Sequence, residues 1–147
     1  MKTIKYFGVM IILLLMLSAI QVGNAAADNT ITVRLQTNGG ALLTGGALQY
    51  HDGTWHTAVD NGDGTFSVTT SASAVTYEMT YNNGRQTYSN IPVSTNPVIF
   101  TTVNTTVALR NSDGADLSGG TVRYHQFGWL DFGNANTALE LLPGAYT

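Results

Sequence analysis

The sequence predicts an all-β protein: an antiparallel seven-stranded sandwich, present as one complete unit and a truncated second unit, with a signal-peptide helix in front. Three observations predict it. Apolar and polar residues alternate with period two, as in Ile31, Val33 and Leu35 against Thr32, Arg34 and Gln36, the mark of a half-buried strand. Turn clusters rich in Gly, Asn and Asp recur roughly every 8–12 residues, the spacing of sandwich strands. The same strand-and-turn pattern then occurs a second time.

The repeat has a fixed offset. Thr32-Val33-Arg34-Leu35, Gly45-Gly46, Tyr50-His51 and Trp55 return as Thr106-Val107-Ala108-Leu109, Gly119-Gly120, Tyr124-His125 and Trp129, each 74 residues on (106 − 32, 129 − 55). Self-similarity at a fixed period identifies an array of one structural unit. Domain boundaries follow: residues 1–27 as signal peptide, 28–104 as the first sandwich repeat, 105–147 as a partial second repeat. A unit of about 75 residues buries only about 60% of its unfolded surface, so its core is marginal.

The leader comes first along the chain. Lys2 and Lys5 give a positive start, Val9 to Leu17 an apolar stretch, and Ala25, Ala26 and Ala27 small residues for cleavage, the signature of an export signal. The apolar run from Phe7 to Ile20 falls short of the roughly 20 residues that span a bilayer, so cleavage leaves no membrane segment. After it, the first strand ends at Asn38-Gly39-Gly40. Leu48 and Tyr50 alternate with Gln49 and His51, Asp52-Gly53 turns the chain, and Trp55 opens another short strand. Asp60-Asn61-Gly62-Asp63-Gly64 is a turn cluster before Phe66, Val68 and Thr70. Val75, Tyr77, Met79 and Tyr81 form the most regular strand, and Asn82-Asn83-Gly84 returns it, Asn-Gly being the strongest short hairpin signal. Ile91-Pro92-Val93 and Asn96-Pro97 mark an edge or a crossing between sheets, because proline donates nothing to a ladder. Val98, Phe100 and Thr102 close the unit. In the second repeat the register slips past Trp129: Tyr146 matches Val75 at an offset of 71, as a three-residue deletion in the turn region would produce. Counterparts of Tyr77 through Thr102 are expected to be lacking there. A truncated product or fragment is the leading expectation; strands supplied by a partner chain are the alternative.

Composition excludes several function classes. Lys2 and Lys5 are the only lysines, so the mature chain has four arginines against nine carboxylates, a net charge of −5. That excludes a basic nucleic-acid footprint and a polybasic lipid patch. With no cysteine there is no disulfide, thiolate nucleophile or cysteine metal site.

Asn38-Gly39, Gly45-Gly46, Tyr50, Asp63-Gly64-Thr65-Phe66 and Leu142-Pro143-Gly144-Ala145-Tyr146 together form a pattern that resembles the transthyretin-like, immunoglobulin-like sandwich of carboxypeptidase regulatory domains and collagen-adhesin B-type modules. The resemblance covers nearly all of the mature chain and implies a fold, not a chemistry. Many such adhesin modules carry an internal Lys–Asn isopeptide bond. A mature chain without lysine has no such crosslink.

Candidate sites each have a plain alternative. Aligning Gly64 with the glycine of a calcium-binding EF-hand loop puts Val59 and Thr70 at the terminal ligand positions, where that loop needs carboxylates; a turn fits better. His51 and His125 occupy equivalent positions and read as a strand feature rather than a metal site. Trp55 and Trp129 also match. With Tyr50 and Tyr88 they are the candidate ligand platform, since aromatic rings stack on sugars. The competing expectation is that they fill the core: a buried Trp removes ~150–250 Å² from water, about 4–6 kcal/mol at ~25 cal/mol per Å². Catalytic motifs are absent, and Glu78 and Glu140 are the only glutamates. Asn104-Thr105-Thr106 matches a glycosylation sequon, but nothing else in the chain points to a eukaryotic export route. The expected function is a non-catalytic, secreted or cell-surface spacer or adhesion module, free of cofactors, with polysaccharide or another surface protein as partner and further repeats of the unit. Alternatives are a carbohydrate-binding module and an accessory domain of a secreted enzyme. Leu42-Leu43 belongs either to the core or to a contact surface.

Overall fold

The computed structural model describes residues 27–146. The expected signal-peptide helix lies outside these residues, as do Ala25 and Ala26. Every regular element described is a strand, and no helix occurs among the described residues. The strands are β1 (Asn29–Gln36), β2 (Ala47–His51), β3 (Trp55–Thr57), β4 (Val59–Asp60), β5 (Thr65–Thr70), β6 (Ala74–Tyr81), β7 (Gly84–Pro92), β8 (Val98–Thr101), β9 (Val103–Thr106), β10 (Thr121–His125), β11 (Trp129–Asn134) and β12 (Ala138–Leu141).

The first unit is two four-stranded sheets, ordered β4-β5-β1-β8 and β3-β2-β6-β7. Alternation drives one face of each sheet inward. Ile31, Val33, Leu35, Phe66, Val68 and Phe100 come from the first sheet, and Leu48, Val75, Tyr77 and Met79 from the second; all are buried in one cluster. Two features differ from the expectation. The unit has eight strands, not seven, because the two-residue β4 adds an edge to β5. The sandwich is also not wholly antiparallel: β8 runs parallel to β1, with Val33 opposite Val98 and Leu35 opposite Phe100. A hairpin would have reversed the chain. Instead the segment after Pro92 crosses from one sheet to the other and brings β8 back in the direction of β1, and parallel pairs need such a crossover.

The β6–β7 hairpin turns one residue earlier than the Asn83-Gly84 pair suggests. Asn82 and Asn83 are its two central residues, both left-handed (φ 45° and 54°), as a type I′ turn requires. Gly84 is the first residue of β7, and a Cβ there would run into the Tyr146 hydroxyl.

The second unit consists of two ladders, β9–β12 and β10–β11. Their registers coincide with those of the first. Val103 opposite Leu141 and Asn104 opposite Glu140 correspond to Asn29 opposite Thr70 and Thr30 opposite Thr69, at offsets of 74 on one strand and 71 on the other (103 − 29, 141 − 70). Arg123–Asp131, Tyr124–Leu130 and His125–Trp129 correspond to Gln49–Thr57, Tyr50–His56 and His51–Trp55 at 74 throughout. The loop after the first strand also coincides. The amides of Leu43 and Leu117 donate to the carbonyls of Leu35 and Leu109 at 2.9 and 2.8 Å.

The repeated Gly-Gly has a cause in that loop. Gly45 and Gly119 have φ of +84° and +89°, a region costly for residues with a Cβ. A Cβ on Gly46 or Gly120 would come within 2.7 or 2.6 Å of the Cδ2 of Leu35 or Leu109. One glycine turns the chain, and the next admits the leucine.

The units are joined at the β6–β7 hairpin tip. Tyr124 donates its hydroxyl to the Asn82 carbonyl at 2.6 Å. The Asn82 and Asn83 side-chain amides donate through Nδ2 to the carbonyls of Glu140 (2.9 Å) and Gly128 (3.0 Å), and the Arg85 backbone N–H donates to Gln126 Oε1 at 2.9 Å. Buried Thr102 donates to the Glu140 carboxylate.

Candidate functional site

Strand alternation decides what the β3-β2-β6-β7 sheet shows to solvent. Leu48 and Tyr50 point inward, so Gln49 and His51 point outward. Residues directly opposite in an antiparallel ladder share a face, so Trp55, opposite His51, also points outward, together with Thr57, Thr76 and Glu78. Trp55 is 53% exposed and Trp129 is 58% exposed. The expectation that the two indoles fill the interior is therefore overturned for both. The core is closed by other large side chains, among them Tyr77, Phe66 and Phe100.

Each indole is held in the same way. Trp55 leans on His51 with ring centroids 5.3 Å apart at 59°, and Trp129 on His125 at 5.2 Å and 51°. In the first unit the supporting turn is tied down by Asp52. Its carboxylate accepts from the Thr70 hydroxyl at 2.7 Å and lies 3.0 Å from His56 Nε2. The Thr70 hydrogen bond, with help from His56, holds the Asp52 carboxyl below the usual carboxylate range despite its partial burial. In the second unit Arg123 stands 5.9 Å from the Trp129 ring centroid while its Nε contacts Asp131 at 3.2 Å. Arg85 bridges toward the second unit: it pairs with Glu78 at 3.3 Å and lies 4.2 Å over the Phe127 ring.

The expected platform of Tyr50, Trp55, Tyr88 and Trp129 is not one surface. Tyr50 is half-buried on the inward side, stacked on His56 at 5.0 Å; burial, aided by the Asp52 charge, raises its hydroxyl pKa. Tyr88 faces the core and stacks on Phe100 at 4.4 Å and 11°. Only Trp55 and Trp129 are left on the surface, and His51 and His125 join them. The tyrosines at equivalent positions also differ in surroundings: Tyr124 is buried edge-on to Phe132 and Tyr146 and reaches across the joint to Asn82. His56 has Leu130 as its counterpart, so the Tyr50–His56 stack has no equivalent.

The Asp60–Gly64 cluster is a turn whose carboxylates are used locally. Asp60 Oδ1 accepts from the Gly62 amide at 2.8 Å, and Asp63 Oδ1 from the Thr65 amide and hydroxyl at 2.9 and 2.6 Å. Among the described residues no group of three His, Asp or Glu side chains is placed to hold a metal ion. Leu43 packs against the core while Leu42 is exposed, so the Leu42-Leu43 pair splits between the two readings. Comparison of the chain with protein-family models, curated proteins and solved structures found no match.

Proposed function

We propose that this chain is a non-catalytic, exported adhesion protein built from transthyretin-like sandwich repeats, and that each repeat grips a polysaccharide through its outward tryptophan. One observation carries the reading: two indoles at equivalent positions, each supported by a histidine, are both more than half exposed. A marginal fold gains stability by burying tryptophan, so leaving it outside in both units calls for a use there. Aromatic faces stack on sugar rings, and the surrounding polar side chains, Gln49 and Glu78 in one unit and Arg123 and Asp131 in the other, offer donors and acceptors for hydroxyls. Export rests on the leader pattern, and the absence of catalytic motifs supports a binding role.

A spacer is the second reading, and the joint favours it. Side chains of Tyr124, Asn82, Asn83 and Gln126 tie the two units, with no free linker between β8 and β9. Titration of intrinsic tryptophan fluorescence with a panel of neutral and acidic polysaccharides separates the two. Adhesion requires a saturable change with at least one polysaccharide, weakened in Trp55→Ala and Trp129→Ala. A flat response across the panel leaves the spacer.

A further inference from the structure

Strand parity lays a row of polar side chains across the outer face of the β3-β2-β6-β7 sheet. Thr57, Gln49, Glu78 and Thr87 lie side by side on its four strands. On one side of that row, Trp55 and His51 fall level with Thr76; on the other, Thr80 falls level with Arg85. The diagonal from Trp55 to Arg85 therefore passes over Gln49 and Glu78. It covers three strand spacings and four residues along a strand, about 20 Å.

Beyond Arg85 the second unit takes over. Its turn Gln126-Phe127-Gly128 is fastened there, with Gln126 Oε1 accepting from the Arg85 backbone N–H and the Gly128 carbonyl from Asn83 Nδ2. The matching turn of the first unit is Asp52-Gly53-Thr54, so Phe127 stands where that unit has a glycine. The joint does not account for the ring. Its polar bonds run through the neighbours of Phe127, and Phe127 itself is 57% exposed. The Arg85 guanidinium lies over the ring while its Nε contacts Glu78. Phe127 is thus held from one side and open on the other.

We propose that this diagonal is a single binding strip for an extended, neutral polysaccharide chain, built by both units together. Given the sugar-contacting role proposed above for the outward indoles, on which this rests, Trp55 stacks on the chain at one end and Phe127 at the other. Aromatic rings carry a negative face, which suits the C–H faces of sugar rings. Gln49, Glu78 and Arg85 exchange hydrogen bonds with the hydroxyls between. Two rings about 20 Å apart on an open sheet face are not bridged by one sugar, so the guest is the interior of a chain. Charge selects a neutral one. Arg85 is the only arginine or lysine on the strip and is already paired with Glu78. With the leader removed the chain is net −5, so a polyanion meets repulsion without an unpaired arginine or lysine to receive it.

Isothermal titration calorimetry on the mature chain tests this, with cellohexaose, xylohexaose and mannohexaose as extended neutral probes, their disaccharides as short ones and polygalacturonate as the acidic one. At least one hexasaccharide is expected to bind about tenfold or more tightly than its disaccharide. That affinity should fall about tenfold in Trp55→Ala and in Phe127→Leu. Phe127→Leu keeps an apolar contact beneath Arg85 and removes the ring; Phe127→Tyr keeps the ring and should bind like the parent. Unchanged affinity in Phe127→Leu, or a disaccharide that binds as well as the hexasaccharide, overturns the strip. Adhesion through Trp55 survives that result if Trp55→Ala still weakens binding. Binding confined to polygalacturonate likewise overturns the neutral strip alone, and no binding to any probe overturns both.

Discussion

Leu35, in β1, and Leu109 occupy equivalent positions just before the same loop in the two units, and truncating each measures how well its unit covers it. Leu→Ala removes three carbons, about 2.4 kcal/mol at ~0.8 kcal/mol per buried carbon. Leu35 is fully buried beneath Gly46 and beside Phe66. The cavity left there adds a further ~1–2 kcal/mol, within the ~2–5 kcal/mol seen for core leucines. Leu35→Ala should therefore cost the first unit about 3–4 kcal/mol. With Leu109 41% exposed, about three-fifths of the transfer term applies and water fills the space. Leu109→Ala should cost the second unit only about 1.4 kcal/mol. Each unit holds one tryptophan, so urea denaturation in Trp129→Phe and Trp55→Phe backgrounds reports the first and second units separately. Equal losses at the two sites would refute the reasoning. A loss of about 3 kcal/mol or more at Leu109 would show that its face is covered in solution.

The glycines beneath these leucines give a second paired test. A Cβ at Gly46 meets Leu35 at 2.7 Å, Met79 Sδ at 3.1 Å and Phe66 at 3.5 Å, whereas at Gly120 only Leu109 is close and the next contact is at 3.7 Å. Gly46→Ala should cost about 1–3 kcal/mol through overpacking, and Gly120→Ala less, because Leu109 can swing into solvent; thermal unfolding reads both. At the joint, Tyr124→Phe removes the 2.6 Å bond to Asn82 and should cost the second unit about 0.5–1.5 kcal/mol, read from Trp129 as urea is raised. Burial raises the hydroxyl pKa of Tyr77, Tyr124 and Tyr146. A phenol that ionises more readily unfolded than folded gives stability that is fully present below the unfolded pKa of about 10 and lost as pH rises through the folded value. The urea midpoint should hold from pH 7 to about 10 and fall above it, less steeply in Tyr124→Phe.

Much of the fold was legible because strand signals are local. Alternation in Ile31–Leu35 and Val75–Tyr81 placed β1 and β6, and the Asn-rich turn placed the β6–β7 hairpin to within a residue. The offset of 71 at Tyr146 reflected a real shift in pairing, since β12 meets β9 three residues earlier than a uniform 74 would put it. What stayed hidden was non-local. Nothing near β8 says that it runs parallel to β1, because that pairing depends on where the chain lands after crossing between sheets. The two-residue β4 exists only as an edge on β5, a partner no local pattern names.

The tryptophans show where local evidence existed and was outweighed. If Leu48 and Tyr50 face inward, His51 faces outward, and a tight turn at Asp52–Thr54 sets Trp55 directly opposite His51. The same steps place Trp129 opposite His125. Gross burial energy favours the opposite orientation, because the indole is the largest gain open to a small fold. Competition for space opposes it. The interior already takes Phe66, Tyr77 and Phe100 at the density of a close-packed solid, and an inward indole from a short edge strand would displace one of them. Burial energy ranks residues by what they would gain inside, whereas parity along the strand decides which of them can get there. Where the two conflict in a sandwich this thin, parity prevails, and the large apolar residues it leaves outside are the first place to look for a binding surface.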